Sequence, residues 1–435
     1  MMERYSEYKD SGVKWLGEIP SHWELRKIFG LFSENKRKNT AFLYKHAMQF
    51  NYGTIVDKNE CFDTEETKEI YSNYSLINKG DIVINGLNLN YDFVSQRVAI
   101  SPKNGIITSA YVVISPKVEI NTYFYCYLFK NMDNMKIFHG MGTGVRKTLS
   151  YKELRNHDVL LPPLSEQDAI VRYLDTATSE IDKAIAMQQK MIDLLNERKQ
   201  IIIQNAVTKG LDENVEMKES GCKILGKIPT TWNVCKTLYI LSMPITDGPH
   251  TTPQFYSDGI PFVSAEAVSC GNGYIDFTHI RGYISDTFYD ECCKKYIPQI
   301  NDIYMIKSGA TTGKVAIVDT NTKFTIWSPL AVFRANRNKV LPDFLYYSLQ
   351  SQYYQLQVQD KWSFGTQQNI GMRTLEKLIV CYPSIDEQSK IIEYIKNKVL
   401  KLDTAITNCQ RQITLLQERK QIIINEVVTG KVRVS

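Results

Sequence analysis

Apolar residues recur at steps of three and four over an unusually long stretch, Ser165 to Gly210. Ile170, Leu174, Ala177, Ile181, Ala184, Met191, Leu195 and Ile202 form one stripe, with Gln188 and Lys199 filling its two gaps. This is the 3.5-residue period of a coiled-coil seam. Ser165 follows Pro162-Pro163, has Asp168 three residues on and is suited to cap the helix; Gly210 is suited to end it. The pattern predicts a rod from Glu166 to Val207, roughly 63 Å long at 1.5 Å per residue. A one-sided apolar stripe of that length needs a partner in water.

The partner lies in the same chain. Moved by 221 positions, the stripe returns at Ile391, Ile395, Leu402, Ala405, Leu416 and Ile423, and LLNERKQIII at 194–203 becomes LLQERKQIII at 415–424. Pro162, Glu166 and Gln167 recur as Pro383, Glu387 and Gln388. A second box, Ser-Gly-x-Lys-x-Leu-Gly-x-Ile-Pro-x-x-Trp, occupies Ser11–Trp23 and Ser220–Trp232, a shift of 209. The chain is therefore a tandem repeat with pseudo-two-fold character. It divides into 1–161 (box and first globular head), 162–210 (first long helix), 211–382 (box and second head) and 383–435 (second long helix and tail). The box is rich in Gly and Pro turns, with Trp23 or Trp232 as a packing anchor, and it reads as a docking segment. The two matched rods are expected to pack antiparallel on each other.

Within the heads the pattern changes to short apolar runs bounded by turns. Strands are predicted at Asp81–Ile84, Gln96–Ile100 and Ala110–Ile114, then at Asp302–Ile306, Lys314–Val318 and Leu330–Phe333. Short helices are predicted at 122–132 and 342–355. Each head is thus α+β with a strongly curved or barrel-like sheet. Gly80-Asp81 and Asn301-Asp302 mark corresponding turns, but elsewhere the heads diverge. A scaffold kept twice while its cargo varies suggests a two-headed reader.

Composition narrows this picture only slightly. With 43% hydrophobic and 23% charged residues, the chain can bury ordinary cores. A net charge of +5 permits a nucleic-acid partner without demanding one. No 18-residue apolar run is present, and the polar N-terminus is no signal peptide. The nine cysteines lack a C-x-x-C pair and read as reduced thiols in a cytoplasmic protein. Two motifs suggest chemistry and fail. Phe138–Gly142 fits F-x-G-x-G of S-adenosylmethionine enzymes, but no catalytic Pro-Pro-aromatic motif follows. Ser308–Lys314 is too short for a nucleotide phosphate loop, and Val315 replaces its Ser/Thr, though its amides and lysine suit a DNA phosphate. No His spacing suggests a metal, and no carboxylate pair suggests a nuclease.

Together the SG-x-K-x-LG-x-IP-x-x-W boxes, the P-x-x-x-EQ lead-ins at Pro162–Gln167 and Pro383–Gln388, and the LL-x-ERKQ-III helix ends resemble the specificity subunits of type I restriction–modification systems. The resemblance covers essentially the whole chain. Within the second head, Thr246–Pro253, Gly259–Phe262 and Gly309–Lys314 look like one common target-recognition class; Leu76–Asp81 and Thr108–Val112 look like another. The resemblance implies two target-recognition domains that each read half of a bipartite, asymmetric site on double-stranded DNA, held by the two coiled-coil helices. It implies as partners two methyltransferase (M) subunits, which methylate adenine, and restriction (R) subunits. S-adenosylmethionine, ATP and magnesium are then expected on those partners, none on this chain, and the chain itself is expected to be non-catalytic and cytoplasmic. Two other classes stay open: a self-contained methyltransferase or nuclease, and a coiled-coil scaffold without DNA readout.

Candidate DNA contacts are polar, basic and aromatic loop residues. In the first head these are Asn88, Asn90, Tyr91, Gln96, Arg97, Arg146 and Lys147. In the second they are His250, Thr251, Thr252, Lys307, Thr311, Thr312, Lys314, Gln367, Gln368 and Asn369.

Overall fold

The computed structural model describes residues 3–58, 64–145, 147–364 and 368–434. They form two compact units, 1–189 with 410–435, and 190–409. The units cut across the four expected segments, because each long helix contributes to both.

In the first unit, β1 (Phe32–Glu34), β2 (Ile82–Ile84), β3 (Val98–Ile100) and β4 (Val112–Pro116) form an antiparallel sheet in the order β1-β4-β2-β3. Helix α1 (Thr122–Asn134) covers one face, burying Phe124, Leu128 and Phe129 with Ile82, Ile84, Val98 and Ile114. The ribbon Met48–Asn51/Thr54–Asp57 covers the other, over Val83, Ala99 and Val113. Burial on both faces explains why these strands read as unbroken apolar runs. Gly80 precedes Asp81 at φ +87°, in the left-handed region. Asp81 is buried, accepting hydrogen bonds from Asn35, Ser115 and the Asn78 amide.

The long helix α2 spans Leu164–Lys209, 46 residues or roughly 69 Å. The second unit repeats the sheet. β5 (Thr246–Asp247), β6 (Ile303–Ile306), β7 (Val315–Ile317) and β8 (Leu330–Phe333) take the equivalent order β5-β8-β6-β7. Asn301 supplies the left-handed turn at φ +71°, and buried Asp302 takes a two-pronged contact from Arg334 at 2.7 Å through each donor nitrogen. The helix expected over 342–355 is two helices, α3 (Pro342–Gln350) and α4 (Gln352–Lys361). Ser351 breaks it with an extended ψ of 149°, and its hydroxyl donates to the Ser348 carbonyl. The second long helix, α5, spans Ile385–Val428.

The repeated motifs do the same work in each unit. Trp23 Nε1 donates to Glu166 at 3.0 Å, and Trp232 Nε1 donates to Glu387 at 3.0 Å. Gln167 is buried, donates to the Pro162 carbonyl and accepts the Asn121 amide that leads into α1. Gln388 likewise donates to Pro383 and accepts the Leu341 amide that leads into α3. The Glu-Gln pair thus fixes both the box and the head to the start of its long helix.

Helix α2 touches α5 in both units. In the first, Asp182 pairs with Lys420 at 2.6 Å; in the second, Lys199 pairs with Asp403 at 2.8 Å. These ion pairs are repeat equivalents, each using the lysine of an ERKQ sequence. In the first unit the start of α2 reaches Trp23, which also covers Gly430 beyond the end of α5, so the helices run antiparallel there. Burial departs from the expected stripe by one residue at several steps, with Thr178 buried beside Ala177 and Ile203 beside Ile202. Met191 is exposed and Ile192 is buried, because the repeat advances four residues from Gln188.

Candidate nucleic-acid interface

The loops joining β2 to β3 and β6 to β7 begin and end at matching sheet positions but are built differently. In the first head the loop runs from Asn85 to Gln96. Arg97, at its end, is only 1% exposed. Its guanidinium donates to the carbonyls of Leu87 and Asp92 at 2.7 Å and of Asn85 at 3.2 Å. Its amide and the Gln96 side chain both donate to Asp133. Burial pushes the Asp133 carboxyl up, against the pull of those hydrogen bonds. The expectation that Arg97 contacts DNA is therefore corrected: a residue sealed from solvent by its own loop holds that loop's shape. Gln96 is turned the same way, toward Asp133.

The other first-head candidates gather at the loop surface. Asn88 is exposed at φ +53°, Tyr91 is exposed, and Asn90 donates to the Val145 carbonyl at 2.8 Å. The Leu89 amide donates to the Lys147 carbonyl, so Lys147 stands beside the same loop. Arg146 lies outside the described residues. The loops also expose Phe93, Val94 and Val145, with Phe93 stacked on His139 at 4.7 Å. Apolar loop residues carry no polar signature in sequence, and none of the three was expected.

In the second head three segments meet around Lys307. The Gly309 amide donates to Gln368, the Ile370 amide donates to Lys307, and Ser308 bridges Asn369. Thr312 closes the intervening turn by donating to the Gly309 carbonyl, and Thr311 lies within it. Asp247 joins Lys307 to the turn carrying His250, Thr251 and Thr252, all three exposed. Gln367 lies outside the described residues. Lys314 occupies the sheet position of Arg97 but is exposed, and it lines a cleft of about 880 Å³ with Tyr346, Gln355 and residues of α2 and α5. Asp247 and Lys295 were not expected, although Asp247 lies within the sequence TDGPH.

No group of His, Cys, Asp and Glu among the described residues could hold a metal ion, and the eight described cysteines are free. No helix among the described residues is long and apolar enough to cross a membrane.

The profile of the type I restriction modification DNA specificity domain matches residues 20–190 and 255–417. The chain belongs to this family. It is 24% identical over 438 residues to the type I restriction enzyme MjaVIII specificity subunit of Methanocaldococcus jannaschii, covering 98% of this chain and 97% of that one. It is 25% identical to the putative MjaX specificity subunit of the same organism, covering 98% of each. A chain solved in work on complex assembly and conformational transition of the type I R-M system superposes with a TM-score of 0.69 at 14% identity, over 94% of this chain and 98% of that one. The two profile matches fall on the two halves of the tandem repeat, one per head. The chain is accordingly a DNA-specificity subunit of the type I restriction–modification class.

Proposed function

We propose that this subunit reads a bipartite, asymmetric site on double-stranded DNA, one half per head, and leaves adenine methylation and restriction to partner M and R subunits. The observation that carries this reading is one sheet order built twice with unlike loops: one organised from within by Arg97, the other tied to Asp247. A shared frame with different reading surfaces suits two different half-sites. Half-sites on one side of a duplex are the geometry of dimeric DNA readers, and a tandem repeat supplies two such readers in one chain.

The same reading places S-adenosylmethionine, ATP and magnesium on the partners. The long helices offer a surface for two M subunits: Leu194 and Ile201, and their repeat equivalents Leu415 and Ile422, are about half exposed. Outward apolar residues at these spacings suit docking by partner helices.

The test compares the purified chain with its complex with the M subunits, each given S-adenosylmethionine and genomic DNA. Methyl transfer is expected only in the complex, at adenines within one split sequence. Methyl transfer by the chain alone, or none that depends on sequence, would overturn the proposal.

A further inference from the structure

Two lysine ammonium groups and a histidine ring, from three separate segments, converge on one buried carboxylate in the second head. Asp247, in β5, is 1% exposed. Lys295, just beyond the helix Asp286–Cys293, donates to its Oδ1 at 2.5 Å. His250, in the turn after β5, and Lys307, at the end of β6, approach Oδ2 at 3.3 and 3.4 Å. Oδ2 accepts no hydrogen bond from a described residue. Gly248 keeps the turn against the sheet, since a Cβ there would lie 1.9 Å from the Ile326 carbonyl oxygen.

The arrangement is lopsided in burial. Asp247 is sealed and the Lys307 side chain is only 13% exposed, whereas the side chains of Lys295 and His250 are 52% and 74% exposed. A carboxylate out of reach of solvent fixes these groups from beneath and leaves the outer N–H groups of Lys295 and His250 free to turn outward. One carboxylate cannot neutralise two ammonium groups. The nearby Glu291 carboxylate, on the wall of an adjoining cavity of about 160 Å³, is itself exposed, where water screens it. Lys307 also joins the cluster to the 308–312 turn and the strand Gln368–Asn369 through its backbone.

We propose that Lys295 and His250, gathered on Asp247 and backed by the largely buried Lys307, form a clamp for a phosphodiester of duplex DNA, by which the second head grips the backbone beside its half-site. The inference rests on the reading of this chain as a DNA reader and adds Lys295 as a contact and Asp247 as a positioning residue. Phosphate contacts set the register of a reader without specifying bases. The clamp thus fixes where the Gln368–Asn369 strand meets the base edges, and the clamp and the base contacts fail in different ways.

The test measures binding of the complete complex with M subunits to a duplex carrying its own site, over a range of potassium chloride concentrations. Lys295 is half exposed, so Lys295→Ala is expected to keep the fold, checked by its thermal melt. It is expected to weaken binding about 3- to 10-fold at low salt and to reduce the slope of log K against log salt by about 0.9. The sequence preferred at the second half-site stays the same, and Lys295→Arg restores both quantities. An unchanged slope would overturn the clamp, as would relaxed base preference at that half-site. A wild-type complex that does not prefer its own site would overturn the underlying DNA-reading proposal instead.

Discussion

Glu166 receives hydrogen bonds from Trp23 at 3.0 Å, from His22 at 2.6 Å and from Tyr5 at 2.9 Å. Burial works to raise its carboxyl, but these hydrogen bonds outweigh burial and hold it below the usual glutamate range. A carboxyl depressed on folding stabilises at neutral pH, and that stabilisation is lost as pH falls through the depressed value. Glu166→Gln is therefore expected to cost about 1–3 kcal/mol at pH 7. The gap between variant and wild type in urea unfolding should shrink in acid, below the ordinary carboxylate range. An equal gap at both pH values would show that the charge does not matter there. At this scale the sequence marked the position but not its role: the Glu-Gln pair was visible as a repeat, while its tryptophan partner lies more than 140 residues away. Arg97 and Lys314 teach the same lesson in reverse. Both precede a Val-Ala-Ile strand, yet one is a buried hub and the other is exposed, because only the first head has a long loop for a guanidinium to organise.

The elements were legible wherever periodicity was long. Both long helices begin and end within two residues of expectation, and the six expected sheet strands are present. What escaped was local. The broken helix at Ser351 turns on one buried serine, and the shift from Met191 to Ile192 reflects the small drift that a seam accumulates between fixed ends. The glycines that end the long helices are equivalent in backbone but not in surroundings. Gly210 and Gly430 adopt φ +75° and +72°. A Cβ on Gly210 would lie 3.1 Å from the flexible end of Glu387, whereas on Gly430 it would press on the Pro20 ring at 2.5 Å and on Trp23 at 2.8 Å. Gly210→Ala is expected to cost roughly 1 kcal/mol from the left-handed backbone alone. Gly430→Ala should cost distinctly more, since two rings must move. Equal losses in the two variants' melting temperatures would contradict this account of the helix ends.

At the scale of the whole molecule the repeat is closed through its ends. The Arg433 amide donates to the Glu3 carbonyl at 2.7 Å. Shifting Glu3 forward by 209 and Arg433 back by 221 brings both to Asp212, where the chain is continuous. The two halves therefore use one plan, and each box covers the end of the other half's long helix: Trp23 lies on Gly430, and Trp232 on Gly210. The loops of the two heads follow no such plan. They depend on loop contacts between segments distant in sequence, which is why candidate residues chosen from residue type and loop position included one buried hub and left out Asp247 and Lys295, two residues of the proposed clamp. The account's central claim is that each head reads its half-site independently. The most direct test replaces residues 235–382 with the corresponding head of another specificity subunit, co-expresses the hybrid with the M subunits and maps adenine methylation across the genome. The account predicts a split site in which one half is retained and the other is exchanged. A site unchanged in both halves, or changed in both, would contradict it.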